Sequence, residues 1–109
     1  MDKYLKYIAV LDRINKKLNL SSNERLLLDV VATSIHNNQV VYVKDLITLN
    51  QIASQATLHK VLTNLIDKKL LTFKADKTDG RLKEVHLTSL ANKRYEELSK
   101  AIESVAIKQ

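Results

Sequence analysis

The chain contains no proline and a single glycine among its 109 residues. Proline removes a backbone donor and glycine admits left-handed geometry, so these two residues most often interrupt helices. A chain this poor in both is mostly α-helical. Its one glycine lies in Asp79-Gly80-Arg81 and marks a demanding turn. Asp-Gly between alternating segments is a strong hairpin signal. Residues 70–75 place Leu71, Phe73 and Ala75 on one side, and residues 83–88 point Val85 and Leu87 inward. The sequence therefore predicts one small two-stranded finger in an otherwise helical protein.

The stretch before that finger, Ser54 to Leu71, predicts the helix that organises the rest. Ser54 is suited to an N-cap, because its hydroxyl can accept from a free N–H of the first turn. Leu58, Val61, Leu62, Leu65 and Ile66 form one apolar stripe at about 100° per residue. The opposite face carries Ala56, His59, Lys60, Thr63 and Asn64, with Asp67 further along. It is short-chained and polar, and its first turns hold no acidic group. Such a face can lie against base-pair edges in a major groove. An ordinary solvated helix face accounts for the same pattern. Ahead of it, Lys44 to Asn50 predict a shorter positioning helix and 51–53 a turn, which together make a helix-turn-helix.

The other elements follow in order. Residues 3–18 predict a helix with Tyr4, Tyr7, Ile8, Leu11, Ile14 and Leu18 on one face. Ser21 and Glu24 have capping-box spacing at the start of the next helix. Leu26, Leu27, Leu28, Val30, Val31 and Ile35 make that helix apolar nearly all round, as expected of a buried central helix. Asn37-Asn38 end it, since Asn tolerates left-handed backbone. Val40 to Val43 are β-branched and aromatic and predict a short strand. Thr88 can cap a last helix running to about Ile107. Ala91, Tyr95, Leu98, Ile102 and Val105 recur on it at heptad spacing. This seam needs a cover, which the first helix, a second subunit, or both can supply.

Charge points to an anionic partner. The chain holds 18 Lys and Arg against 12 Asp and Glu, a net +6. The excess is local: five basic against two acidic groups in residues 1–20, and eight against five in 44–88. Such clustering favours nucleic acid. With no cysteine, disulfides and thiolate chemistry are excluded. No apolar run approaches the roughly 20 residues of a membrane span. The N-terminus lacks a signal-peptide pattern, so a cytoplasmic protein is expected. There is no Gly-rich phosphate loop and no His/carboxylate cluster at ligand spacing, so neither an enzyme, a metal site nor a cofactor is expected. His36, His59 and His86 are isolated.

The element order and three motifs resemble the MarR family of bacterial transcription factors, including its small SarA-like branch. Asp79-Gly80-Arg81 followed by Leu87-Thr88 is similar to the family's Asp-x-Arg wing tip leading to Leu-Thr. Ser54 to Leu71 resembles its recognition helix. The similarity covers about residues 20–100. Ala91 stands where the family often has Gly, and the chain ends earlier than members with an extra C-terminal helix. The resemblance implies a winged helix-turn-helix fold, mostly α with a small β-wing, and a homodimer. Residues 20–88 would form the winged-helix core of one domain, and 1–19 and 89–109 the dimerisation helices.

The expected function is a dimeric, sequence-specific DNA-binding repressor acting on double-stranded DNA. Phosphate contacts are expected from Lys44, Lys60, Lys74, Lys77 and Lys83, and base contacts from Gln55, Thr57, His59, Lys60 and Thr63. Ser54 belongs to the same surface at the helix tip. Arg81 is placed to enter a minor groove, braced by Asp79. The dimer interface is expected from Tyr4, Ile8, Leu11, Tyr95, Leu98, Ile102 and Val105. A small-molecule effector could bind between the first helix and the core. The alternatives are a winged helix used for protein contacts and an accessory DNA-binding module of a replication or secretion assembly.

Overall fold

The computed structural model describes the backbone of residues 1–107 and the side chains through Val105. The elements run α1 (Asp2–Lys17), α2 (Ser22–His36), α3 (Val43–Leu46), α4 (Gln55–Asp67), β1 (Leu71–Ala75), β2 (Lys83–Leu87) and α5 (Ser89–Ile107). The expected helical chain with one small hairpin is what forms. The last two residues of the 89–109 segment lie outside the described residues.

The helices are ended without glycine. Asn19, Asn38 and Lys69 take φ of 53°, 61° and 61° just past α1, α2 and α4. Each left-handed residue lets the next N–H reach back to an orphan carbonyl. Leu20 donates to Asn15 at 3.0 Å, Gln39 to Ser34 at 2.9 Å and Leu70 to Leu65 at 3.0 Å. At the other ends, Ser21 and Glu24 close the expected capping box on α2. Ser54 caps α4 by accepting from the Thr57 N–H at 3.3 Å. Thr88 accepts from the Ala91 N–H at 3.2 Å.

The core lies where α2 crosses α4 against the base of the hairpin. Leu27, Leu28 and Val31 of α2 meet Leu58, Val61, Leu62 and Leu65 of α4, with Leu46, Leu70, Leu71 and Val85 closing the sides. All are buried. This is the predicted α4 stripe turned inward, and non-directional apolar burial fixes the opposite face outward. The two terminal helices pack on each other, α1 against α5. They leave Tyr4, Leu5 and Ile102 exposed at their shared end.

Four local expectations are corrected. Val40 to Val43 do not form a strand: Val40 is exposed, Tyr42 makes one bridge to Glu84, and Val43 already opens α3. Pairing stops because Tyr42 spends its carbonyl on the N–H groups of Asp45 and Leu46. The positioning helix is shorter than 44–50. The Thr48 hydroxyl donates to the carbonyls of Lys44 and Asp45, and the chain turns after Leu46. Central helix α2 is not buried all round, since Leu26 is half exposed.

Gly80 does not adopt positive φ and has open space around it. The hairpin turn is instead organised by Asp76, whose carboxylate accepts from the Thr78 N–H, the Thr78 hydroxyl and the Asp79 N–H at 3.1, 2.6 and 3.0 Å. As expected, Phe73 and Ala75 share a side with Leu71, and both stay exposed. The strands pair Leu71 with Leu87 through Ala75 with Lys83. Leu71 and Val85 reach the core and Leu87 packs against it, while the outer half of β1 and the tip project beyond the layer that could cover them.

Candidate nucleic-acid interface

Because α4 turns its leucines inward, Gln55, Ala56, His59, Lys60, Thr63 and Asp67 stand exposed on its outer face. Thr57 is half buried, and its hydroxyl accepts from that of Ser54 at 3.0 Å. Ser54 and Thr57 are therefore committed in part to holding the helix tip. The Thr63 hydroxyl donates to the His59 carbonyl at 3.0 Å, leaving its lone pairs free to accept. Gln55, His59 and Lys60 make no side-chain hydrogen bond or ion pair among the described residues. A long amide, an imidazole and an ammonium thus stand free on successive turns of one helix.

The wing carries the second group of cations. Lys74, Lys77 and Lys83 are exposed. Lys83 Nζ lies 5.8 Å from the Phe73 ring centroid, so an exposed aromatic ring props that cation upright. Lys44 Nζ lies at the same distance from the Tyr42 ring. Arg81 is at the finger's tip with its side chain 91% exposed. Asp79 braces it as expected, accepting from Arg81 Nε at 3.1 Å, Nη2 at 3.2 Å and the Arg81 N–H at 3.1 Å. These bonds hold the Asp79 carboxyl below the usual carboxylate range. They still leave guanidinium donors for a second partner.

The wing is anchored to the helix-turn-helix. The Tyr42 hydroxyl donates to Asp76 Oδ1 at 3.2 Å, and the Val85 N–H donates to the Val41 carbonyl at 2.8 Å. Burial and the facing Asp76 carboxylate push the Tyr42 phenol up. Hydrogen bonds from Thr78 and the Asp79 N–H hold Asp76 well below its ordinary value, so the turn keeps its charge near neutral pH.

The residues expected at a dimer interface divide. Tyr4 and Ile102 are exposed, while Ile8, Leu11 and Val105 are half buried. Leu98 is buried within the protomer. Tyr95 is half buried and donates from its hydroxyl to Asp29 Oδ1 at 2.6 Å. Burial and Asp29 together raise the Tyr95 phenol strongly.

Sequence reasoning missed a buried polar cluster beside these residues. Arg94 and Asn15 are 3% and 4% exposed. Arg94 extends from α5 to Asn15 on α1 and lies 3.8 Å from Asp29 on α2. Its Nη1 has no hydrogen-bond partner among the described residues. The signal was present, because Ala91, Arg94 and Leu98 are spaced 3 and 4 apart, which puts the guanidinium on the apolar seam. A second missed interaction links Glu24 to Lys68 at 2.6 Å.

A helix-turn-helix followed by a basic two-stranded finger defines a winged helix. No protein-family model matches the sequence, and no curated protein matches it. Solved structures do match. The S. aureus MepR–DNA complex is 20% identical with a TM-score of 0.73, the match covering 91% of this chain and 77% of MepR. The transcriptional regulator Tm0710 from Thermotoga maritima is 16% identical with a TM-score of 0.71, at 95% and 67% coverage. A MarR transcription factor from Planctomyces limnophilus is 19% identical with a TM-score of 0.56, at 96% and 73% coverage. The fold is thus the winged helix of MarR-type transcriptional regulators.

Proposed function

We propose that this protein is a dimeric, sequence-specific DNA-binding transcriptional regulator acting as a repressor. Residues 20–88 would serve as the DNA-binding core, and 1–19 and 89–109 as the dimerisation helices. One observation carries this reading: the outer face of α4 holds free Gln55, His59 and Lys60 beside a finger bearing Lys74, Lys77, Arg81 and Lys83. A protein-binding surface would be depleted in lysine at its centre, which disfavours the adaptor alternative. In the proposed complex α4 enters the major groove. Gln55 can pair with adenine and Lys60 can donate to guanine. Arg81 enters the minor groove, where negative potential attracts a guanidinium. Lys44 and the wing lysines neutralise phosphates.

The exposed Tyr4 and Ile102 support pairing of the terminal helices with a second copy. A small-molecule effector would have the cleft of about 140 Å³ lined by Ile14, Lys17, Leu18, Leu90, Lys93, Arg94 and Glu97. Apolar walls meet three cations there, with Lys17 3.8 Å from Glu97 and Arg94 Nη1 3.8 Å from Asp29. Selection of bound sequences from a random duplex pool tests the function. The expected result is a pseudo-palindrome with half-sites about one helical turn apart. Recovery of no preferred sequence would leave the sequence-specific regulator without support.

A further inference from the structure

Two features converge on the C-terminal end of α4. Lys68 follows directly after that helix, yet its ammonium points away from the outer face. It reaches Glu24 Oε1 at 2.6 Å and also donates to the Asn19 carbonyl. Glu24 is buried, its side chain only 4% exposed, while Lys68 is 27% exposed. The same Glu24 oxygen accepts from the Ser21 N–H at 2.9 Å and so starts α2. Burial alone would raise the Glu24 carboxyl, but the bonds from Lys68, Ser21 and Asn64 outweigh it and the group ends below its ordinary value. Asn19 is the left-handed residue between α1 and α2. One ammonium therefore ties the end of α4 to the start of α2 and to the hinge out of α1.

We propose that Lys68 is a positioning residue for DNA recognition: its clamp on Glu24 and Asn19 sets the angle of α4 and makes no phosphate contact. The inference rests on α4 being the DNA-reading helix. Its physical basis is that a nearly buried carboxylate must keep its cation, so the pair has one low-energy geometry. The clamp also gives α1 a mechanical route to α4. A shift of α1 moves the Asn19 carbonyl, which Lys68 feels directly. The turn after α4 has a second anchor, since the Thr88 hydroxyl donates to the Lys69 carbonyl at 2.7 Å. Loss of the clamp should thus free the angle of α4 without undoing the fold.

The test compares Lys68→Met, Lys68→Arg and the double variant Glu24→Gln/Lys68→Met, which leaves no orphan buried charge. Affinity for the selected duplex and for random duplex is measured across salt concentrations. If α4 is correctly set in only a tenth of Lys68→Met molecules, affinity for the selected duplex falls about tenfold. Random-duplex affinity and the salt slope stay at wild-type values. The double variant follows Lys68→Met in affinity but melts like wild type, and Lys68→Arg retains affinity for the selected duplex. A salt slope flattened by about 0.9 in Lys68→Met would mark Lys68 as a phosphate ligand and overturn the proposal. So would wild-type affinity in both Met variants.

Amide hydrogen exchange on the free proteins tests the clamp without DNA. The double variant should lose protection at Leu65 to Lys69 while Leu28 to Val31 keep theirs. Unchanged protection at Leu65 to Lys69 would overturn the clamp. Failure of wild type to bind any duplex would instead overturn the DNA-binding reading, and the exchange result would still decide the clamp.

Discussion

Arg94 of α5 donates from Nε and Nη2 to the amide oxygen of Asn15 on α1, at 3.2 and 2.8 Å. Both residues are almost wholly buried, so each loses its water shell on folding. Their bonds hold two terminal helices in register where an all-apolar seam would let them slide. Asn15→Ala removes the acceptor and leaves a buried guanidinium short of partners. Chemical denaturation should show a loss of about 2 kcal/mol. The double replacement Asn15→Leu/Arg94→Met removes both polar groups, and stability should return to wild type or above. Equal destabilisation by the single and double variants would contradict this account of the seam.

The wing turn depends on a charged Asp76. Its carboxyl is held below the ordinary value by hydrogen bonds from the Thr78 hydroxyl and the Asp79 and Thr78 N–H groups. A folded-state pKa below the unfolded one gives order that is complete above the unfolded value, about 3.9. That order is lost as pH falls through the lower folded value. Exchange protection of the Thr78 and Asp79 amides should therefore persist down to about pH 4 and decline only below it. Asp76→Ala should abolish that protection at neutral pH while leaving the α2–α4 core intact.

The exposed pair Tyr4 and Ile102 supplies the test of the dimer. Both stand at the same end of α1 and α5, beside Tyr7 and Val105. An apolar end of this kind favours covering by a second copy. Ile102→Asp and Tyr4→Glu should each shift sedimentation from dimer to monomer at micromolar concentration. A wild-type protein that sediments as a monomer would remove the two-fold model and its paired half-sites.

The sequence made the local rules legible where one residue type decides the structure. The Ser21/Glu24 capping box, the Ser54 cap, the left-handed Asn38, the α4 stripe and the Asp79 brace on Arg81 all follow from chemistry within a few residues. What it hid depended on partners distant in the chain. Val40 to Val43 have strand composition, yet a ladder needs an edge, and β2 offers Tyr42 one bridge. Gly80 looks obligatory in the sequence, but Asp76 shapes the turn through side-chain bonds that no dipeptide signal reports. Leu26 looks buried there because helix hydrophobicity gives a periodicity and not the extent of the neighbouring layer. Asn15 meets Arg94 across 79 positions and Glu24 meets Lys68 across 44, beyond any local pattern.

Salt titration of duplex affinity decides whether the outer face of α4 and the wing together grip DNA. Binding to the selected duplex should weaken steeply with salt, log K falling with a slope of about −0.9 per phosphate neutralised. Lys60→Ala and Arg81→Ala should each weaken binding and flatten that slope while melting like wild type. A salt-independent affinity, or full retention of affinity and slope in both variants, would show that this surface does not bind DNA.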